Sequence, residues 1–96
     1  MGQVVLISGG TSGIGKRSAE LFAAGGYQVA ILGRDAIKGQ QAAESLQQSY
    51  PQTKILYIQG DVSKVEDCAK AVAQTVQWGG SLDVLINSAG RYFAKA

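Results

Sequence analysis

Ninety-six residues, 46% of them hydrophobic and with a formal charge of +2, make one domain at most. The basic residues are scattered, which gives no electrostatic case for a nucleic acid or an anionic membrane as partner. Histidine is absent, excluding His-based triads and most transition-metal sites, and no apolar run is long enough to span a bilayer. The single cysteine, Cys68, excludes an intrachain disulfide and fits a reducing, cytoplasmic setting. Met1-Gly2-Gln3 leads straight into an apolar segment, so no leader peptide is expected.

The first predicted strand is Val4–Ser8. It runs into Gly9-Gly10-Thr11-Ser12-Gly13-Ile14-Gly15, and a helix is predicted over Gly13–Ala24, stopping at Gly25-Gly26. Glycines at 9, 13 and 15 remove Cβ atoms where a backbone turns sharply and approaches a ligand, and the free N–H groups of a helix start point at an anion. Three phosphate-binding spacings compete here. G-x-G-x-x-G fails at Ser18. The P-loop pattern fits Gly10 to Lys16 but places Arg17 where a Mg²⁺-binding hydroxyl is needed. G-x-x-x-G-x-G, at Gly9, Gly13 and Gly15 after Ser8, fits without a miss. A turn that merely enters the helix is the alternative without a ligand. Ile14, Ser18, Leu21 and Phe22 are expected on the apolar face of this helix.

The second strand is predicted at Gln28–Leu32. NAD-binding folds usually carry an acid at the end of strand 2 to hold the ribose hydroxyls. Here the chain has Gly33 and then Arg34, which leaves room for a 2′-phosphate and supplies a guanidinium to grip it, so NADP(H) is favoured over NAD(H). Asp35 is the rival ribose ligand, and it also suits the N-cap of a helix over Ala36–Ser49 that ends before Pro51. A solvated loop charge is the plain alternative for Arg34.

Lys54–Gln59 is the third predicted strand, followed by Asp61-Val62. A carboxylate there can accept from an adenine amino group and the next N–H can donate to the ring; otherwise Asp61 caps a turn. Ser63 and Glu66 fit an S-x-x-E capping box, opening a helix with Val65, Ala69, Val72 and Val76 on one face and a stop near Gly79-Gly80. The fourth strand is Leu82–Asn87. Right-handed crossovers give an α/β, Rossmann-like parallel sheet of order 3-2-1-4, with helices on both faces. Gly9 and Asn87 then meet at the carboxyl-end switch between strands 1 and 4, where such sheets bind ligands.

From Val4 to Gly90 these motifs resemble the short-chain dehydrogenase/reductase family. Its TGxxxGIG turn appears with Ser8 for Thr, its Asp-Val pair at Asp61-Val62, and its NNAG motif as Asn87-Ser88-Ala89-Gly90. Ser88 in place of the second Asn is expected to weaken a structural hydrogen bond slightly. The resemblance implies cofactor binding by Gly9, Thr11, Ser12, Gly13, Ile14, Gly15, Arg34, Asp61, Val62, Asn87, Ala89 and Gly90, with NADP as cofactor and NAD second. It also implies hydride transfer between NADPH and a carbonyl or alcohol in a full-length parent. The family's Ser and its Y-x-x-x-K pair lie C-terminal of NNAG, and this sequence ends six residues after Gly90. The expectation is therefore a partial NAD(P)-binding Rossmann domain over 1–96, with no catalytic residue carried over and no metal. Tyr50 and Lys54 have the Y-x-x-x-K spacing, but Pro51 breaks the helical turn that would stack them. Leu82, Val84, Leu85 and Ile86 are expected at an uncovered strand 4 edge, which makes a second copy of the chain the expected macromolecular partner. The alternative is a catalytically inactive small protein that binds a nucleotide or only a partner.

Overall fold

Five consecutive buried residues, Val4–Ser8, form strand β1 inside a four-stranded sheet in the computed structural model, which describes residues 2–9 and 13–88. The elements follow as α1 (Gly13–Ala24), β2 (Gln28–Gly33), α2 (Ala36–Ser49), β3 (Ile55–Gln59), α3 (Val65–Gly79) and β4 (Val84–Asn87). All pairings are parallel. β1 lies between β2, with Val4 opposite Gln28, and β4, with Val5 opposite Val84, and β3 pairs with β2 on the outside. The order is β3-β2-β1-β4, as the alternation of strands and helices predicts. No helix among the described residues is long and apolar enough to cross a membrane.

Side-chain alternation divides the core between the two faces of the sheet. Val5, Ile7, Val29 and Ile31 pack with Ala19 and Ala23 of α1 and Leu46 of α2. Leu6, Ala30, Leu32 and Ile58 pack with Ala71 of α3. Cover on both faces is why the strands read as unbroken apolar runs.

Two helices are rotated from the sequence expectation. α1 buries Gly15, Ala19 and Ala23, while Ile14 is 78% and Leu21 59% exposed. Phe22 is half-buried and sets its ring edge-on to Tyr27, with centroids 4.8 Å apart. α3 buries Ala71 and Thr75, with Val72 and Trp78 half-buried, and leaves Val65 83% exposed. The cause in both is proximity to the sheet, which small residues permit and large ones prevent. A Cβ on Gly79 would lie 2.8 Å from Val4 Cγ2, so α3 meets the sheet with its small-residue stripe.

The expected capping box is also absent. Lys64 is the N-cap of α3 and makes no side-chain cap bond. The Ser63 hydroxyl and N–H both donate to Asp61 Oδ1, at 2.7 and 2.9 Å, so the hydroxyl is engaged behind the helix rather than in it. Glu66 and Asp67 still place negative charge in the first turn, where the helix dipole favours it. α2 does follow the sequence: Asp35 Oδ1 accepts from the N–H groups of Ile37 and Lys38 at 3.0 and 3.1 Å.

Pairing shifts three strand limits. β2 reaches Gly33 because Gly33 pairs with Gln59, and β3 starts at Ile55, with the Lys54 carbonyl still accepting from Val29 N–H at 3.0 Å. β4 starts at Val84, and its expected bare edge is narrower than predicted. Only Leu85 is strongly exposed, at 60%; Val84 and Ile86 pack on the α1-side core and Leu82 on the α3-side core.

Asp83 ties the start of β1 to the approach to β4. Its Oδ2 accepts from Val4 N–H at 2.8 Å and Ser81 Oγ at 2.9 Å, and its own N–H donates to the Val4 carbonyl at 2.9 Å. Val4 is fully buried, so losing the carboxylate orphans a buried donor, which costs about 1–3 kcal/mol. Asp83→Ala should lower the unfolding free energy by that amount, seen as a lower urea midpoint at an unchanged m value, and Asp83→Asn, which keeps an acceptor oxygen, should lower it less.

Candidate functional site

Parallel pairing puts the carboxyl ends of β1, β2, β3 and β4 on one side of the sheet, and α1 starts there, directly after the exit of β1. Gly9 has φ 77° and Gly13 φ 60°, both in the left-handed region that a Cβ disfavours. Gly15 comes so close to β1 that a Cβ there would overlap the Gly9 carbonyl and lie 2.6 Å from Ser88 Oγ. The sequence requirement for glycine at 15 is thus a packing requirement of this fold. Gly9 N–H donates to the Leu32 carbonyl at 3.0 Å, which ties the turn to β2.

Between β1 and β4 the ties are made by hydroxyls. Ser8 Oγ donates to Asn87 Oδ1 at 2.9 Å. Ser88 donates to the Ser8 carbonyl twice, from Oγ at 2.7 Å and from N–H at 3.1 Å. Serine at 88 therefore does not simply lose a bond, as the motif comparison suggests; it makes a short one of its own across the same strand pair.

Beyond β2 and β3 an open cavity of about 470 Å³ is lined by Gly9, Gly33, Arg34, Asp35, Lys38, Asp61 and Val62, among others. Four of the sequence-predicted residues, Gly9, Arg34, Asp61 and Val62, are brought together there. Arg34 is exposed and makes no ion pair among the described residues. Asp35 spends Oδ1 on the α2 cap. Asp61 spends Oδ1 on Ser63, and its N–H donates to Asp67 Oδ2 at 2.8 Å. The turn role and the ligand role of Asp61 are thus compatible, since Oδ2 carries no hydrogen bond among the described residues. Val62 also borders a smaller apolar cavity of about 100 Å³, lined by Leu6, Leu32, Cys68, Val72 and Leu85, with Ser8 and Asn87 at its polar edge.

Gly13 and Ile14 sit exposed at the opening of α1. Thr11, Ser12, Ala89 and Gly90, together with the 91–96 tail, lie outside the described residues. Tyr50, the decoy, is the C-cap residue of α2 and packs on the core at the amino ends of the strands, opposite this site. Among the described residues no three His, Cys, Asp or Glu side chains cluster as metal ligands. Sequence reasoning missed Asp67 and the pair Tyr57 and Gln59. Tyr57 donates its hydroxyl to the Gly33 carbonyl at 2.7 Å, and Gln59 its amide to the Arg34 carbonyl at 3.3 Å. The one available signal for Tyr57 was a glycine, Gly39, inside a helix.

A glycine-lined strand exit, a guanidinium with no ion pair among the described residues and a carboxylate beside an apolar wall suit a ligand with phosphate, ribose and a flat ring. The sequence matches the short chain dehydrogenase family over residues 3–96, and the chain belongs to that family. It is 42% identical over 89 residues to 11-beta-hydroxysteroid dehydrogenase-like 2 of Arabidopsis thaliana, covering 93% of this chain and 29% of that protein. It is 40% identical to general stress protein 39 of Bacillus subtilis, covering 98% of this chain and 32% of that one. Among solved structures, L-sorbose reductase of Gluconobacter frateurii, complexed with NADPH and L-sorbose, superposes with a TM-score of 0.88 at 30% identity, over 99% of this chain and 36% of the reductase. An NADPH-bound short chain oxidoreductase of Pseudomonas aeruginosa gives 0.89 at 28% identity, over 93% and 35%. The chain thus spans about a third of the length of these relatives.

Asp61 gives the site a pH signature. The Ser63 hydroxyl and N–H hold its carboxyl below the ordinary value of 3.8, and the Arg34 and Lys64 charges add to this. Its contribution to stability is in place above that ordinary value and is lost as pH falls through the lowered one. Carboxyl ¹³C titration should give Asp61 a midpoint below 3.8, and Ser63→Ala should move that midpoint up.

Proposed function

We propose that this chain is the dinucleotide-binding part of an oxidoreductase, that it takes NADP(H) in preference to NAD(H), and that the full-length parent transfers hydride between NADPH and a carbonyl or alcohol. The observation that carries the preference is at the end of β2. Gly33 stands where a ribose-binding acid would, Arg34 opens onto the same cavity as Gly9, and Asp35 is engaged at the helix cap. A 2′-phosphate there meets a guanidinium with no ion pair among the described residues, and no carboxylate at position 33. Similarity to reductases solved with NADPH, from Gluconobacter frateurii and the actinorhodin polyketide pathway, supports the reading.

In this proposal Gly9, Thr11, Ser12, Gly13, Ile14 and Gly15 hold the pyrophosphate. Arg34 holds the 2′-phosphate, and Asp61 with the Val62 N–H reads the adenine. Asn87, Ala89 and Gly90 pass under the ribose and nicotinamide. The bound nicotinamide supplies the hydride chemistry; the residues of this chain bind and orient it. NADPH should bind the 96-residue chain with micromolar affinity or weaker, on the order of −8 kcal/mol at best, and NADH more weakly. Arg34→Ala should weaken NADPH by about tenfold and leave NADH unchanged, as expected for loss of a charge-assisted bond. Titration calorimetry decides this. Equal affinities for the two cofactors, or a preference that survives Arg34→Ala, would refute the assignment.

A second reading concerns assembly. Leu85 is 60% exposed on the α3 face beside β4, next to the apolar cavity, and α3 is the sole helix over that face among the described residues. We propose that the 96-residue chain covers this region with a second copy. Light scattering at micromolar concentration should report a mass above 10.0 kDa, and Leu85→Lys should shift it toward the monomer. A clean 10.0 kDa species for the unaltered chain would refute the proposal.

A further inference from the structure

Gly39 lies inside α2, a position where glycine is a poor helix former. Its neighbour explains it: a Cβ at Gly39 would overlap the Tyr57 ring. The ring lies across the helix at that point and carries its hydroxyl to the Gly33 carbonyl, donating at 2.7 Å. Burial, and then the nearby Asp35 charge, hold the phenol above its ordinary value. The same carbonyl accepts from Gly60 N–H at 3.0 Å, and the next carbonyl, that of Arg34, accepts from Gln59 Nε2 at 3.3 Å. Three donors from β3 and its exit therefore grip two consecutive carbonyls, and the Arg34 side chain leaves the backbone from within that grip.

The Tyr57 hydroxyl is not needed to keep the Gly33 carbonyl satisfied, because Gly60 already serves it. A phenylalanine would fill the same space between β3 and α2. What the hydroxyl adds is a fixed position for the end of β2. We propose that Tyr57, seated on Gly39, is a positioning residue for Arg34 and sets how sharply the site distinguishes a ribose 2′-phosphate from a free 2′-hydroxyl. This inference rests on the role given to Arg34 above.

The test measures adenosine 2′,5′-bisphosphate and adenosine 5′-diphosphate by calorimetry on the 96-residue chain and two variants. Tyr57→Phe removes the hydroxyl and keeps the ring. Gly39→Ala keeps the hydroxyl and displaces the ring. Each should reduce the preference for the 2′-phosphate by about 3- to 10-fold, the range of one hydrogen bond, while the diphosphate binds as before. The thermal midpoint of Tyr57→Phe should stay near that of the unaltered chain. An unchanged preference in Tyr57→Phe would overturn the positioning role and leave the Arg34 assignment standing. Equal weakening of both ligands would also overturn it, by showing a general structural effect. If the unaltered chain shows no preference for the 2′-phosphate, the Arg34 assignment falls and the role of Tyr57 falls with it.

Discussion

The close approach of Gly15 to the Gly9 carbonyl is the constraint from which the rest of the molecule follows. No side chain fits between them, so α1 must enter with its glycine against the exit of β1. That contact fixes the rotation of the helix. Residues four and eight positions on, Ala19 and Ala23, are carried onto the sheet, and Ile14 and Leu21 are turned outward. The same contact brings Ser88 Oγ beside Gly15, where it reaches the Ser8 carbonyl and couples the helix start to β4. The turn proposed as a binding cradle is at the same time a packing solution.

α3 repeats this logic on the opposite face. Ala71, Thr75 and Gly79, again spaced by four, lie toward the strands, and Thr75 returns its hydroxyl to the Ala71 carbonyl at 2.7 Å. The helices thus contribute thin sides, and the strands contribute the volume. Val4, Val5, Leu6, Ile7, Val29 and Ile31 are all essentially buried, and each such side chain is worth about 1.5–3 kcal/mol relative to exposure. The sheet supplies the hydrophobic stabilisation, while the helices determine how near its polar ends can be brought to a ligand.

This division explains what could be read in advance. Strands and their order were legible, because runs such as Val4–Ser8 are apolar throughout and right-handed crossovers leave little topological choice. The convergence of Gly9, Arg34 and Asp61-Val62 on one cavity follows from that order alone. Helix faces were not legible, since the most apolar stripe is the natural choice and the buried stripe is the smallest one. Ser63 was assigned to a helix cap, but Asp61 two residues earlier offers its hydroxyl and N–H a nearer acceptor. The end of β2 depends on the pairing of Gly33 with Gln59, and the start of β3 on that of Ile55 with Val29, contacts between segments distant in sequence. Tyr57 falls within the expected Lys54–Gln59 strand with nothing of its own to mark it, and only its place beside Gly39 shows where its hydroxyl goes.

Parallel pairing has a further consequence in time. Ser8 and Asn87 meet at the floor of the site, yet 79 positions separate them along the chain, as they do Val4 and Asp83. At a synthesis rate of about 5–20 residues per second, the partner of Ser8 leaves the ribosome roughly 4–16 s after it. Once β2 has followed, β1 has a partner on one side and an open row of backbone donors and acceptors on the other until β4 arrives. An inner strand of the four described is, for the greater part of that interval, an edge. The face of that strand, though not its edge, is covered early: Ala19 and Ala23 of α1 follow β1 closely in sequence and pack on Val5 and Ile7.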